Sequence, residues 1–171
     1  IPSCWYVVKA GSYPSVQLSY GVDNSASVEL YLYYSSTSNY CALITPAVDL
    51  PSLNQAMLSL YARSYSSSYS QPNLVIGVVD DPNDFTTFVP LDTVLVTGKT
   101  PKQYEIMFDQ FASQIGTQKH IVMCLDKSNA SADLCLDNIK ITKIPTCFPP
   151  TNVQLIGTPE LTSAVVKLTP Y

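Results

Sequence analysis

Charge is what this 171-residue chain has least of. Charged side chains make up 13% of it, against about a quarter in an ordinary soluble domain. Nine Lys and Arg stand against thirteen Asp and Glu, a net charge of −4, and the basic residues are scattered. That distribution leaves no electrostatic footprint for a phosphate backbone, so nucleic acid is excluded as a partner. Glycine is scarce, at six residues, and no Gly-rich phosphate loop occurs. There is a single histidine and no Cys-x-x-Cys pair, which removes the usual zinc and thioredoxin-type spacings. No apolar run reaches the roughly 18 residues that a membrane helix needs, so the chain is not expected to span a membrane. A charged segment followed by an apolar leader is also missing, and any signal peptide is expected to have been removed.

What is present is a strand-former's composition. Hydrophobic residues reach 46%, enough for a core, and twelve tyrosines and thirteen prolines stand out. Ser, Thr, Asn, Gln and Tyr must supply the polar surface, as in strand-rich extracellular proteins. Alternation with period two recurs along the chain. Val28, Leu30 and Leu32 alternate with Glu29, Tyr31 and Tyr33; Leu58, Leu60 and Ala62 alternate with Ser59, Tyr61, Arg63 and Tyr65. Residues 73–79 form a nearly continuous β-branched run, the pattern of a strand buried on both faces. Residues 94–96, 103–108, 120–125 and 134–141 read as further strands, and 108–115 as one short helical turn. Nine or ten short strands with Pro-bearing connections predict an all-β, two-sheet antiparallel sandwich of the jelly-roll kind. Val28, Leu30, Leu58, Leu60, Ile76, Val78, Ile106, Val122 and Ile139 are the expected inward set.

Three prolines within residues 144–150 cannot continue a central strand and mark a linker. The organisation expected is a sandwich over 1–143, the linker, and a tail over 151–171. That tail could supply two strands, and a lone two-stranded ribbon is marginal in water. Its apolar residues, Val153, Leu155, Ile156, Val165, Val166 and Leu168, therefore call for a docking partner, with the edge strand of a neighbouring chain preferred.

Candidate chemistry is thin. His120 leads an apolar run and reads as a strand-edge or loop residue rather than a general base. Asp80, Asp81 and Asp84 surround Pro82 and read as a solvated turn rather than a metal loop or a glycosidase pair. No enzyme activity is expected. The five cysteines are either buried thiols or include one disulfide; in the second case Cys4 and Cys147, which flank the sandwich, are the expected pair. More informative is the face of Tyr61, Arg63 and Tyr65, continued by Tyr69 in the Tyr/Ser-rich loop. Flat rings and the forked donors of the sole arginine suit a sugar's apolar face and hydroxyls. The competing reading is half-buried sheet tyrosines whose hydroxyls stay wet. Trp5 reads as a plug at one end of the sandwich.

A set of spaced segments carries a family likeness. Cys4-Trp5, then Tyr40-Cys-Ala-Leu-Ile-Thr-Pro46 and Leu58-Ser-Leu-Tyr-Ala-Arg63, are followed by Ile76-Gly-Val-Val-Asp-Asp-Pro82, Phe85-Thr-Thr-Phe88, Lys119-His-Ile-Val-Met123 and Leu134-Cys-Leu-Asp-Asn-Ile-Lys-Ile141. Over residues 1–143 this order resembles the MAM-like jelly rolls, above all the cleaved-adhesin and choice-of-anchor domains of bacterial surface proteins. Pro149-Pro-Thr-Asn-Val-Gln-Leu155 with Ser163-Ala-Val-Val166 resembles the opening strands of a fibronectin type III domain, which would make 151–171 the truncated start of one; Leu168 stands where that family has a tryptophan. The resemblance implies an accessory module of a secreted or cell-surface bacterial protein, joined to neighbouring domains. Its expected partner is a glycan or glycoprotein, the alternative being a spacer with no ligand of its own. Some adhesin-type relatives hold structural Ca2+ through an Asp-Asp pair near the last strand. The matching positions here are Asp137 and Asn138, and the missing carboxylate weakens the case for a cation.

Overall fold

The computed structural model of the chain describes residues 1–65, 72–126, 131–145, 152–160 and 163–169, with backbone alone at 126, 152–160 and 163–169. Alternation decides the architecture. In β5 (Ala56–Ser64) every second residue is buried, and in β3 (Ser27–Leu32) Leu30 and Leu32 are buried on the inward face while Ser27 and Glu29 are covered on the other. A strand with one apolar face must cover it, and here two sheets cover each other.

The remaining strands are β1 (Tyr6–Val8), β2 (Ser15–Gln17), β4 (Tyr40–Ile44), β6 (Asn73–Val79), β7 (Val89–Leu95), β8 (Lys102–Met107), β9 (His120–Asp126) and β10 (Ala132–Lys143). One sheet runs β1-β4-β9-β6-β7 and the other β2-β3-β10-β5-β8. Their pairing is nested. β6 pairs with β7, β5 with β8, β4 with β9 and β3 with β10, all antiparallel. The chain is thus one long β ribbon rolled so that successive ribbon segments fall in alternate sheets, which is the jelly-roll path. β1 and β2 extend the two sheets at one edge.

Between the sheets lie Leu30, Leu58, Leu60, Leu74, Ile76, Met123 and Leu134, with Phe108 and Ile115 from the helical turns at 108–115 closing one end. Burying one such aliphatic side chain contributes about 1.5–3 kcal/mol. Val28 and Ile139 pack against this core half-buried. Val122 does not join it. It is buried on the opposite face of its sheet, with Ala42, Ile44, Val75, Val79 and Cys124. The expected inward direction is wrong for Val122 because β9 is apolar on both faces, so composition carries no direction there.

Sequence reading also passes over three strands. β1 and β2 have three residues each, too short for periodicity, and β4 is apolar on both sides. β6 is buried on both faces as its composition predicts. Residues 81–84 form the expected turn: Asp81 accepts from the Asn83 amide at 2.9 Å, and Asp84 caps the next turn by accepting from the Thr86 amide at 3.0 Å. β11 (Asn152–Glu160) and β12 (Ser163–Thr169) pair antiparallel as a two-stranded hairpin. The side chains of this hairpin, and hence their expected docking partner, lie outside the described residues.

Candidate functional site

The outer faces of the two sheets differ in kind. On the β1-β4-β9-β6-β7 sheet the outer face is capped by Phe85 and Phe88, stacked at 4.7 Å, with Tyr40 against both. Gly77 makes the cap possible, since a Cβ there would strike the Val89 carbonyl and the Phe88 ring. A groove of about 540 Å³ beside the cap is lined by Val8, Lys9, Tyr40, Phe85 and Phe88.

The outer face of β2-β3-β10-β5-β8 is polar and aromatic. Ser59, Tyr61, Arg63 and Tyr65 project from β5, since Leu58, Leu60 and Ala62 point into the core. On β10, Leu134 and Leu136 face inward and Asp133 and Cys135 outward. Tyr31 and Glu29 project from β3 by the same alternation. Register then joins the strands: Cys135 sits opposite both Glu29 and Arg63, and Asp133 lies opposite Tyr31. The two tyrosine-bearing faces legible in the sequence, on β3 and on β5, are one face with β10 threaded between them.

Rings gather over this row. Tyr13 meets Tyr31 edge-on at 5.2 Å, and Tyr31 leads on to the exposed Tyr33 and Tyr34. Tyr20, from the β2–β3 loop, lies 4.7 Å from Tyr65, and Arg63 sits over the Tyr20 ring at 5.5 Å. The Tyr65 hydroxyl donates to Tyr20, and this bond holds it protonated, with its pKa pushed up to about 12. Tyr61 donates to Gln103 at 3.1 Å, and Gln103 donates in turn to Ser59 and Glu105.

Beneath the rings lie two carboxyl groups. Glu29 and Asp133 are each 3% exposed. Glu29 accepts from Gln17 and from Ser15 at 3.3 Å. Asp133 shares a hydrogen bond with Glu29, and its pKa is pushed up to about 8, first by burial and then by the Glu29 charge. One proton is therefore held between the pair at neutral pH. Asp133 Oδ1 is buried with no partner, while the buried Ser27 hydroxyl bonds the Cys135 thiol. Burial also pushes the thiols of Cys41 and Cys135 up to about 11, so both stay protonated.

Of the residues singled out from sequence, Tyr61, Arg63 and Tyr65 come together on this face, while Tyr69 lies outside the described residues. Asp133, Tyr13 and Tyr20 were missed. Strict alternation from Ala132 to Leu136 marks Asp133 as outward; the two tyrosines sit in loops, where periodicity is silent. Cys4 is exposed, and Cys147, its expected partner, lies outside the described residues. Asp137 holds a loop: Oδ2 accepts from the Val22 amide at 2.8 Å and the Ser25 hydroxyl at 2.7 Å, while Oδ1 accepts from the Asn138 amide. Asn138 itself has φ of 49° at the break in β10 register, a conformation asparagine tolerates at a bulge. Among the described residues no group of three His, Cys, Asp or Glu is placed to hold a metal. His120 starts β9 with Nδ1 at 2.8 Å from the Thr45 carbonyl and packs edge-on to Tyr6. Trp5 is half-buried against the core and lines a cavity of about 320 Å³ at one end of the sandwich.

Neither a protein-family model nor a curated protein sequence matches the chain. Solved structures do. The K1 cleaved adhesin domain of Lys-gingipain from Porphyromonas gingivalis superposes with a TM-score of 0.62 at 20% identity, over 85% of this chain and 94% of that one. The K3 cleaved adhesin domain of the same protein gives 0.60 at 16%, over 82% and 91%. A carbohydrate-binding module specific for non-crystalline cellulose gives 0.54 at 12%, over 82% and 89%. The jelly-roll fold is shared with all three. At such identities the likeness speaks for the fold alone.

Proposed function

We propose that this chain is a non-catalytic module that binds carbohydrate or glycoprotein through the outer face of the β2-β3-β10-β5-β8 sheet, within a secreted or cell-surface bacterial protein. The observation that carries this reading is the row Tyr31, Asp133, Tyr65 and its neighbours, where aromatic rings flank buried acceptors. Rings supply flat apolar contact for a pyranose, and carboxylates and amides take its hydroxyl protons. Adhesin domains and a cellulose-specific module with the same fold support the assignment. Residues 144–150 act in this reading as a linker to a second, fibronectin type III-like unit that opens with β11 and β12. The Cys4–Cys147 disulfide and a contribution of Tyr69 to the face belong to the same proposal.

A spacer role is favoured by one observation: several of the tyrosines are engaged with one another, which is how packed sheet residues behave. A glycan array probed with the intact chain separates the two. Retention on a defined class of glycans supports the binding module. Uniform absence of signal, with the protein folded by circular dichroism, supports the spacer.

A further inference from the structure

The chemistry of the buried floor restricts the ligand further, on the reading that this face binds glycans. We propose that the face selects neutral, hydroxyl-rich glycans and rejects those carrying carboxylate or sulfate groups, because Glu29 and Asp133 hold negative charge just beneath its tyrosines.

Asp133 Oδ1 is buried without a partner, and Asp133 projects to the outer face from β10. Glu29 already collects donors from Gln17 and Ser15 on β2. A neutral sugar resting on the rings above meets no opposing charge. A uronate or sulfate brings only acceptors and a second negative charge, into a place where water screens poorly. The cations on the same face do not offset this. Arg63, on β5, is turned over the Tyr20 ring, and its Nε donates to the Ser64 carbonyl at 3.4 Å. Lys140 lies opposite Ser59, which has Glu105 on its other side, so that end of the face is balanced. Two other titratable groups packed around the pair, Tyr65 above and Cys135 beside it, are neutral at pH 7, their pKa values raised to about 12 and about 11.

The test uses β-1,4-glucan, β-1,4-mannan and α-1,4-glucan oligosaccharides, each paired with its C6-oxidised uronate, in titration calorimetry with the intact chain. Any neutral member that binds should exceed its uronate by roughly tenfold or more at pH 7. Glu29→Gln should narrow that ratio several-fold. A second readout stands if that variant fails to fold: the wild-type ratio should widen between pH 7 and pH 9, as Asp133 loses its proton near 8, and Asp133→Asn should abolish the widening. Equal or tighter uronate binding by the wild type overturns the selectivity and leaves the glycan reading standing. A ratio unmoved by both variants and by pH overturns the role of the carboxyl pair. If no member of either series binds, and the array is blank as well, the glycan reading itself falls.

Discussion

The two sheets of this sandwich are built from the same ribbon, yet their outer faces differ: one is apolar and capped by aromatic rings, the other polar and aromatic. On the β1-β4-β9-β6-β7 sheet, Val75, Val79, Val122 and Cys124 would expose a continuous apolar surface, and the Phe85–Phe88 turn covers it. On the other sheet, outward positions are Ser, Glu, Asp, Tyr, Arg and Gln, and much of the cover is one ring leaning on the next. The difference teaches where stability and recognition reside. Apolar outward residues demand a lid that local sequence must supply; polar outward residues can wait for a partner.

The contrast breaks most severely if the shared core is damaged. Leu60 is fully buried between the sheets, and Leu60→Ala should cost about 2–5 kcal/mol in denaturant unfolding. A loss under about 0.5 kcal/mol would be that of a surface site and would put β5 the wrong way round.

The next effect belongs to the polar face alone. Asp133 has its folded pKa raised to about 8, so the folded state holds a proton that the unfolded chain releases near pH 4. Its contribution to stability is full below about pH 4 and is lost as pH rises towards 8, by at most about 1.4 kcal/mol per pH unit. Asp133→Asn should flatten this part of the pH profile of unfolding, and the wild type minus variant difference isolates it. A difference that is constant from pH 4 to pH 8 would mean that Asp133 does not carry the proton.

The capped face should respond more mildly. Phe88 is half-buried, so Phe88→Ala should cost about 1–3 kcal/mol, less than truncating a fully enclosed aromatic ring. Thermal unfolding checks it, and an unchanged melting temperature would mean the cap is ornamental.

Much of this was legible before any coordinates. The inward faces of β3 and β5 follow from strict alternation, and the two-sided burial of β6 follows from its β-branched run. The tyrosines of β3 and β5 were visible as two faces, but not as one. Their union depends on β10 lying between them, a pairing between residues about a hundred positions apart that local periodicity cannot encode. Tyr20 and Tyr13 reach the face from loops for the same reason. Val122 was misdirected because β9 is apolar on both sides, and only the location of the Phe85–Phe88 cap decides which side faces the core. Asp137 and Asn138 match a calcium pair by resemblance only; local sequence does not show that the carboxylate accepts from the Val22–Ser25 loop or that the asparagine sits at a bulge.

The most direct measurement of the central claim sets one face against the other. Once a glycan is identified on the array, its affinity should be measured by calorimetry for Tyr31→Ala with Tyr65→Ala on the open face and for Phe85→Ala on the capped one. The account predicts that the open-face pair weakens binding by about tenfold or more, a loss of at least about 1.4 kcal/mol, while Phe85→Ala leaves the affinity within about twofold. Full affinity in the tyrosine variant together with loss in the Phe85 variant would contradict the account and move the binding site to the other sheet.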